Sequence, residues 1–265
     1  MDPAKLSEYK RLQTYVEGLY DRSGEEPKLR LPLYPQQGSS LRADDDKIPG
    51  GRTASQMALS LIAGGAANAQ ALQRLIVSGV VDNWSLWSIA RTALESSAQA
   101  VWLLRGNRDE RVLRAARAWA DDLDKRHKWE SKSGWRVPEG GESGRQRRDK
   151  FLNDAAHKGM DPNKVGGRPK YTEALEEAAK RCGQDPDRVV AAWQLASGFA
   201  HGKQWPYLRG SDVTGTDRTR EGTVHHVEFS EESFDPLASY IREFLECAVT
   251  TYEKRSASTR VGQDQ

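Results

Sequence analysis

The stretch Val80–Gly106, "VVDNWSLWSIARTALESSAQAVWLLRG", decides how the chain is read. Placed at 100° per residue, Trp84, Trp87, Leu94, Ala98 and Trp102 share one face, and the run is far too long for a strand. The spacing predicts one long apolar helix ending at Gly106. Arg91 falls inside that face, and Glu95 lies one turn on at its edge. A guanidinium stays charged at any relevant pH, so burying it without a partner would be very costly. Two answers are open. Glu95 pairs with Arg91 and fixes the helix register, or Arg91 faces a cleft and holds an anion such as a phosphate while Glu95 orients it.

The helix period extends outward from this stretch in both directions. Leu6, Tyr9, Leu12, Val16 and Leu19 predict a first helix within residues 1–20. Residues 21–52 hold four prolines and a DDD run, and read as a long loop, extended or mobile. Thr53 with Gln56 resembles a capping box opening a helix to about Ser78, whose small centre "AGGAAN" admits close approach by another helix. Asn107 with Glu110 opens another, carrying Val112, Ala116, Trp119 and Leu123. A basic helix spans Arg145 to His157, and one from Thr172 runs through Cys182. Asp185-Pro186 and Asp235-Pro236 each look like an Asp cap with Pro at the first helical position, where its missing N–H costs nothing. "GTVHHVEF" alternates like a strand or hairpin arm, and the tail at 256–265 is polar and reads as disordered. The expected fold is all-α: one antiparallel bundle of about seven helices over 53–255, with a short strand or hairpin before the last.

Composition narrows the function classes. Apolar residues make up 37% and charged residues 29%, and no window approaches the roughly 18 apolar residues of a spanning helix. "MDPAKLSEYK" lacks a cationic start followed by an apolar core, and two cysteines make no disulfide framework, so the expectation is a reduced cytoplasmic protein without membrane contact. The five histidines form no HExxH or comparable motif, and "VGGRPK" lacks the ending of a phosphate loop. No metal and no cofactor are expected. A net charge of +2 argues against indiscriminate nucleic-acid binding but leaves room for a local patch. The densest basic run, "RQRRDK", places Arg145, Arg147, Arg148 and Lys150 on one helix. It is either a solvated face or the phosphate contact of an RNA partner, with Trp129, Trp135 and Phe151 as aromatics that either stack on bases or join the core.

A second stretch, "WQLASGFAHG" at Trp193–Gly202, ends a helix with Ser197 and His201 four residues apart. They could share a site one turn deep. Equally, a histidine in a last turn is favoured by the helix dipole alone, and a serine nucleophile would need a base aligned to it.

Together, the "ARTALESSAQAVWLL" helix and the "WQLASGFAHG" helix end resemble a group of bacterial HEPN-like helical proteins. In these an Arg-x-x-x-Glu helix packs near a Ser-x-x-x-His helix end, and Arg91, Glu95, Ser197 and His201 match those polar positions. The resemblance covers residues 55 to 255 as an order of helices. It implies a helical bundle, often a homodimer, and a metal-independent ribonuclease or RNA-binding protein of bacterial toxin–antitoxin, antiviral or stress systems. On that footing His201 acts as acid, base or charge stabiliser and Arg91 holds the phosphate, while Glu95 and Ser197 orient them. The usual ribonuclease signature places an Arg four to six residues before the His; here "QLASGFA" contains none. The other expectation is a non-catalytic module that binds a protein partner, with the four residues as structural glue.

Overall fold

The structure, a computed structural model, describes residues 7–23, 27–79 and 82–258. Leu6, Val80, Val81 and the tail from Thr259 lie outside them. The described residues are mostly helical: α1 (Ser7–Gly18), α2 (Ser40–Asp45), α3 (Ala54–Val77), α4 (Asn83–Leu104), α5 (Arg108–Ser133), α6 (Gly144–His157), α7 (Pro162–Val165), α8 (Tyr171–Arg181), α9 (Pro186–Ala200), α10 (Tyr207–Gly210) and α11 (Glu231–Ser256). Two small antiparallel pairs accompany them, β1 (Tyr20–Asp21) with β2 (Lys28–Leu29) and β3 (Ser211–Thr219) with β4 (Gly222–Phe229). The eleven helices exceed the expected seven partly because α2, α7 and α10 are single short turns that carry no detectable period.

Local signals set most helix ends. Asn107 and Glu110 form a reciprocal capping box at α5, and the Asp185 carboxylate accepts from the N–H groups of Asp187 and Arg188 behind Pro186. Asp161-Pro162 repeats the device at α7. Asp235-Pro236 does not. Helix α11 has already begun at Glu231, Pro236 lies inside it, and the Asp235 carboxylate accepts instead from the N–H groups of Glu8 (3.0 Å) and Tyr9 (3.1 Å). It caps α1, satisfying first-turn donors that have no partner within their own helix.

The described residues within 21–52 hold more regular structure than their composition suggests. They hold the β1–β2 pair and α2, and within α2 both Asp44 and Asp45 are buried. Nor is the start of the tail loose: the Ser256 carbonyl accepts from the Gln36 N–H at 2.8 Å, and Ser258 bridges to Ser39.

The chain gathers into two compact units, each assembled from three separated segments. Unit 1 draws on Met1–Arg30, Leu61–Val101 and Thr172–Val249; unit 2 on Leu31–Ser60, Trp102–Tyr171 and Thr250–Gln265. In unit 1 the core is aromatic and small together. Trp87 stacks on Phe199 (5.1 Å, 14°) and meets Phe234 edge-on. Gly65 of α3 lies so close to α4 that a β-carbon there would sit 3.4 Å from the Ser97 nitrogen and 3.5 Å from the Ala93 carbonyl. In unit 2 the core gathers Leu41, Ile48, Val112, Ala116, Leu123, Phe151, Ala155, Val165 and Tyr252. Among the described residues no helix is long and apolar enough to cross a membrane.

Candidate functional site

The buried side of α4 is Leu86, Trp87, Ala90, Ala93, Leu94, Ser97, Ala98 and Val101. It keeps Trp87, Leu94 and Ala98 of the face that the large residues marked but is rotated off Trp84, which is 43% exposed. The displacement follows from packing. Close approach by another helix favours small residues, which a reading weighted towards tryptophan passes over. Arg91 and Glu95 consequently sit at the margin of the core, their side chains 24% and 20% exposed.

There they form a cluster in which Arg91 Nε is buried and, among the described residues, without a hydrogen-bond partner. An Arg91 Nη2 to Glu95 Oε1 contact of 2.7 Å is joined by the Trp193 indole N–H, which donates to the same oxygen at 2.6 Å. The Arg91 guanidinium also lies 5.9 Å from the centre of the Trp193 ring. One carboxylate oxygen thus receives both a cation and an indole, and the indole face covers that cation. In the sequence Trp193 only opens the stretch that ends in Ser197 and His201. Nothing local marks it as the partner of a residue 98 positions earlier.

Ser197 and His201 lie at the end of α9, the helix that carries Trp193. His201 is exposed and caps α9, its backbone N–H bonding to the Ser197 carbonyl at 3.0 Å, and Gly202 follows at φ 65°. Ser197 is half-buried. Among the described residues no side-chain hydrogen bond or ion pair joins either of them to Arg91 or Glu95. Flanking His201 is a cavity of about 500 Å³ lined by Ser85, Ser88, Ile89, Phe199, Ala200 and Gly202.

The basic run on α6 divides in a similar way. Arg145 faces Asp149 (3.8 Å), Arg148 faces Asp149 (3.7 Å) and Asp124 (3.8 Å), and Lys150 meets Glu142 at 3.2 Å. Only Arg147 of the four has no carboxylate within ion-pair distance among the described residues. The aromatics separate too. Phe151 is buried, whereas Trp129 and Trp135 are 57% and 53% exposed with ring centres 5.9 Å apart.

Elsewhere in unit 2 the carboxylates are held by specific donors. Glu130 is drawn below its ordinary range by the Arg126 guanidinium and by the Gly144 N–H that opens α6. Burial pushes the Asp45 carboxyl up, against the opposing bonds from Ser55. Among the described residues no group of three His, Cys, Asp or Glu is placed to hold a metal ion. Comparison of the chain with protein-family models, with curated proteins and with solved structures finds no match.

Proposed function

We propose that the protein is a non-cleaving, single-stranded RNA-binding module, HEPN-like in its helix order and packed as an antiparallel bundle. The observation that carries this reading is the exposed Trp129–Trp135 pair within a cationic unit. Among the described residues unit 2 has 23 Lys and Arg against 15 Asp and Glu, while unit 1 has 15 against 19. A near-neutral total therefore conceals one basic region. Cations that neutralise phosphates supply affinity by releasing counterions, and exposed indoles offer platforms on which any base can stack. Pairing of Arg91 with Glu95 and its place over the Trp193 ring favour a structural cluster over a phosphate-holding one. The setting we propose is a homodimer in a bacterial cytoplasm, acting in defence or stress response.

The test is fluorescence anisotropy of a labelled single-stranded RNA against salt concentration. Affinity should fall steeply as salt rises, and Trp129→Ala with Trp135→Ala should weaken binding about tenfold or more, at about 1–3 kcal/mol for each stacked base. Binding that ignores both salt and the two tryptophans would refute the proposal.

Cleavage is the second reading, favoured by the cavity beside His201. RNA cut by the parent protein but not by His201→Ala, with folding unchanged, would establish it over the first.

A further inference from the structure

We propose that unit 2 contains a pocket for a phosphorylated sugar, with the phosphoryl group gripped by Arg52 and Arg147 and a sugar hydroxyl donated to Asp154. For the source of the ligand this deepens the RNA reading and rests on it, since a 5′-terminal nucleotide and a free nucleoside monophosphate present the same chemistry.

The cavity, of about 390 Å³, is formed where the Gly50–Arg52 loop meets α6, and it is lined by Arg52, Arg147, Lys150, Glu142 and Asp154. That size falls within the usual range for small-molecule sites. Arg52 is fixed in place before any ligand arrives. Its guanidinium lies 5.6 Å from the Trp119 ring centre and 5.5 Å from that of Phe151, and Nη1 donates to the Gly50 carbonyl at 3.4 Å. Gly50 holds φ 67°, and a β-carbon there would stand 3.1 Å from Arg52 Nη1. The loop is thus wrapped tightly around the cation, and a guanidinium held by rings and one long bond to the loop keeps most of its donors for a phosphoryl group.

The charges lining the cavity are not all satisfied by one another. Lys150 and Glu142 pair at 3.2 Å and largely cancel. Among the described residues neither the Arg147 guanidinium nor the Asp154 carboxylate has a hydrogen bond or an ion pair. They are seven residues apart on α6, about 10 Å along its axis. That is too far to pair directly, and suited to gripping two ends of one small molecule. Burial, and after it the positive neighbours Arg147 and Arg126, hold Arg52 below the usual guanidinium range despite the opposing charges of Asp122 and Glu142. An anion bound here would relieve that repulsion. A second anionic group would meet Asp154 and Glu142, so a monophosphate bearing a hydroxyl fits the donor set better than a diphosphate does.

The experiment is calorimetric titration of the full chain with AMP, ribose 5-phosphate, inorganic phosphate and adenosine. AMP and ribose 5-phosphate should bind, phosphate more weakly and adenosine not at all. Arg147→Gln removes a side chain that makes no hydrogen bond or close ion pair and acts on Glu130 only through its charge, so the variant should fold normally. It should weaken AMP at least tenfold, as expected for a lost charged hydrogen bond. Asp154→Asn should reduce the advantage of ribose 5-phosphate over inorganic phosphate. AMP binding no tighter than adenosine, or unchanged in Arg147→Gln, overturns the pocket. To separate the sources, 5′-phosphorylated and 5′-hydroxyl forms of one short RNA are compared. A preference for the phosphorylated form that Arg147→Gln abolishes supports the terminal nucleotide, and AMP binding without such a preference assigns the pocket to the free nucleotide. If both RNAs bind equally while AMP fails, the pocket is wrong and the RNA reading stands.

Discussion

The two units keep their charged residues in opposite ways. In unit 1 the Arg91–Glu95 pair sits at the edge of an aromatic core and remains partly wet. In unit 2 the Asp44 and Arg111 side chains are 1% and 7% exposed. Arg111 grips Asp44 through two bonds of 2.7 Å and 3.0 Å and gives a third to the Gly106 carbonyl at 2.9 Å. Beside it, Asp45 accepts from the Ser55 N–H at 2.8 Å and the Ser55 hydroxyl at 2.7 Å. The pair that catches the eye in the sequence is the shallow one. The pair that is costly to break hides in a DDD run that looks like solvated loop. Depth, rather than conspicuousness, governs the cost, because a lone charge deprived of water has nothing to replace its hydration.

This contrast can be broken or sharpened by substitution. The largest effect is expected from Asp44→Ala, which strands Arg111 and should cost about 3–5 kcal/mol in denaturant unfolding. Replacing both partners together, Asp44→Leu with Arg111→Met, should recover most of that loss; no recovery would mean that the pair is not the reason. Next comes a test of the unit 1 core. Gly65→Ala places a β-carbon 3.2 Å from Leu245 Cδ2 and near α4 backbone, and should cost about 1–3 kcal/mol. Gly64→Ala, one residue earlier, meets only Ser96 Oγ at 3.6 Å and should be neutral or stabilising by up to about 1 kcal/mol, from helix propensity. Equal costs at the two glycines would undo the close-approach account.

Glu95→Ala should destabilise by about 1–2 kcal/mol, since it removes a partly exposed ion pair and the acceptor of the Trp193 indole but strands no fully buried charge. A loss as large as that of Asp44→Ala would erase the distinction between the units. The smallest effect is expected at His201→Ala, within about 0.5 kcal/mol as for other exposed positions. Thermal unfolding of the purified variants reads both, and an unfolding temperature several degrees lower in His201→Ala would reveal a structural role that its exposure denies.

What the residues determined alone was the order of the longer helices and where several of them end. Those signals act within about four positions: the apolar period, Asn107 with Glu110, Asp185 before Pro186, and Gly202 after α9. The Arg91–Glu95 contact was legible for the same reason, being one helical turn in length. What only the tertiary structure decided was every partner brought from afar. Trp193 completes the Glu95 cluster, Asp235 caps α1 rather than its own helix, and Asp44 anchors Arg111. The face of α4 that is buried belongs here too, because small residues become core only where another helix presses against them. A chain records its local geometry in neighbouring letters. Which buried charge meets which partner is settled only by the packing that removes both from water.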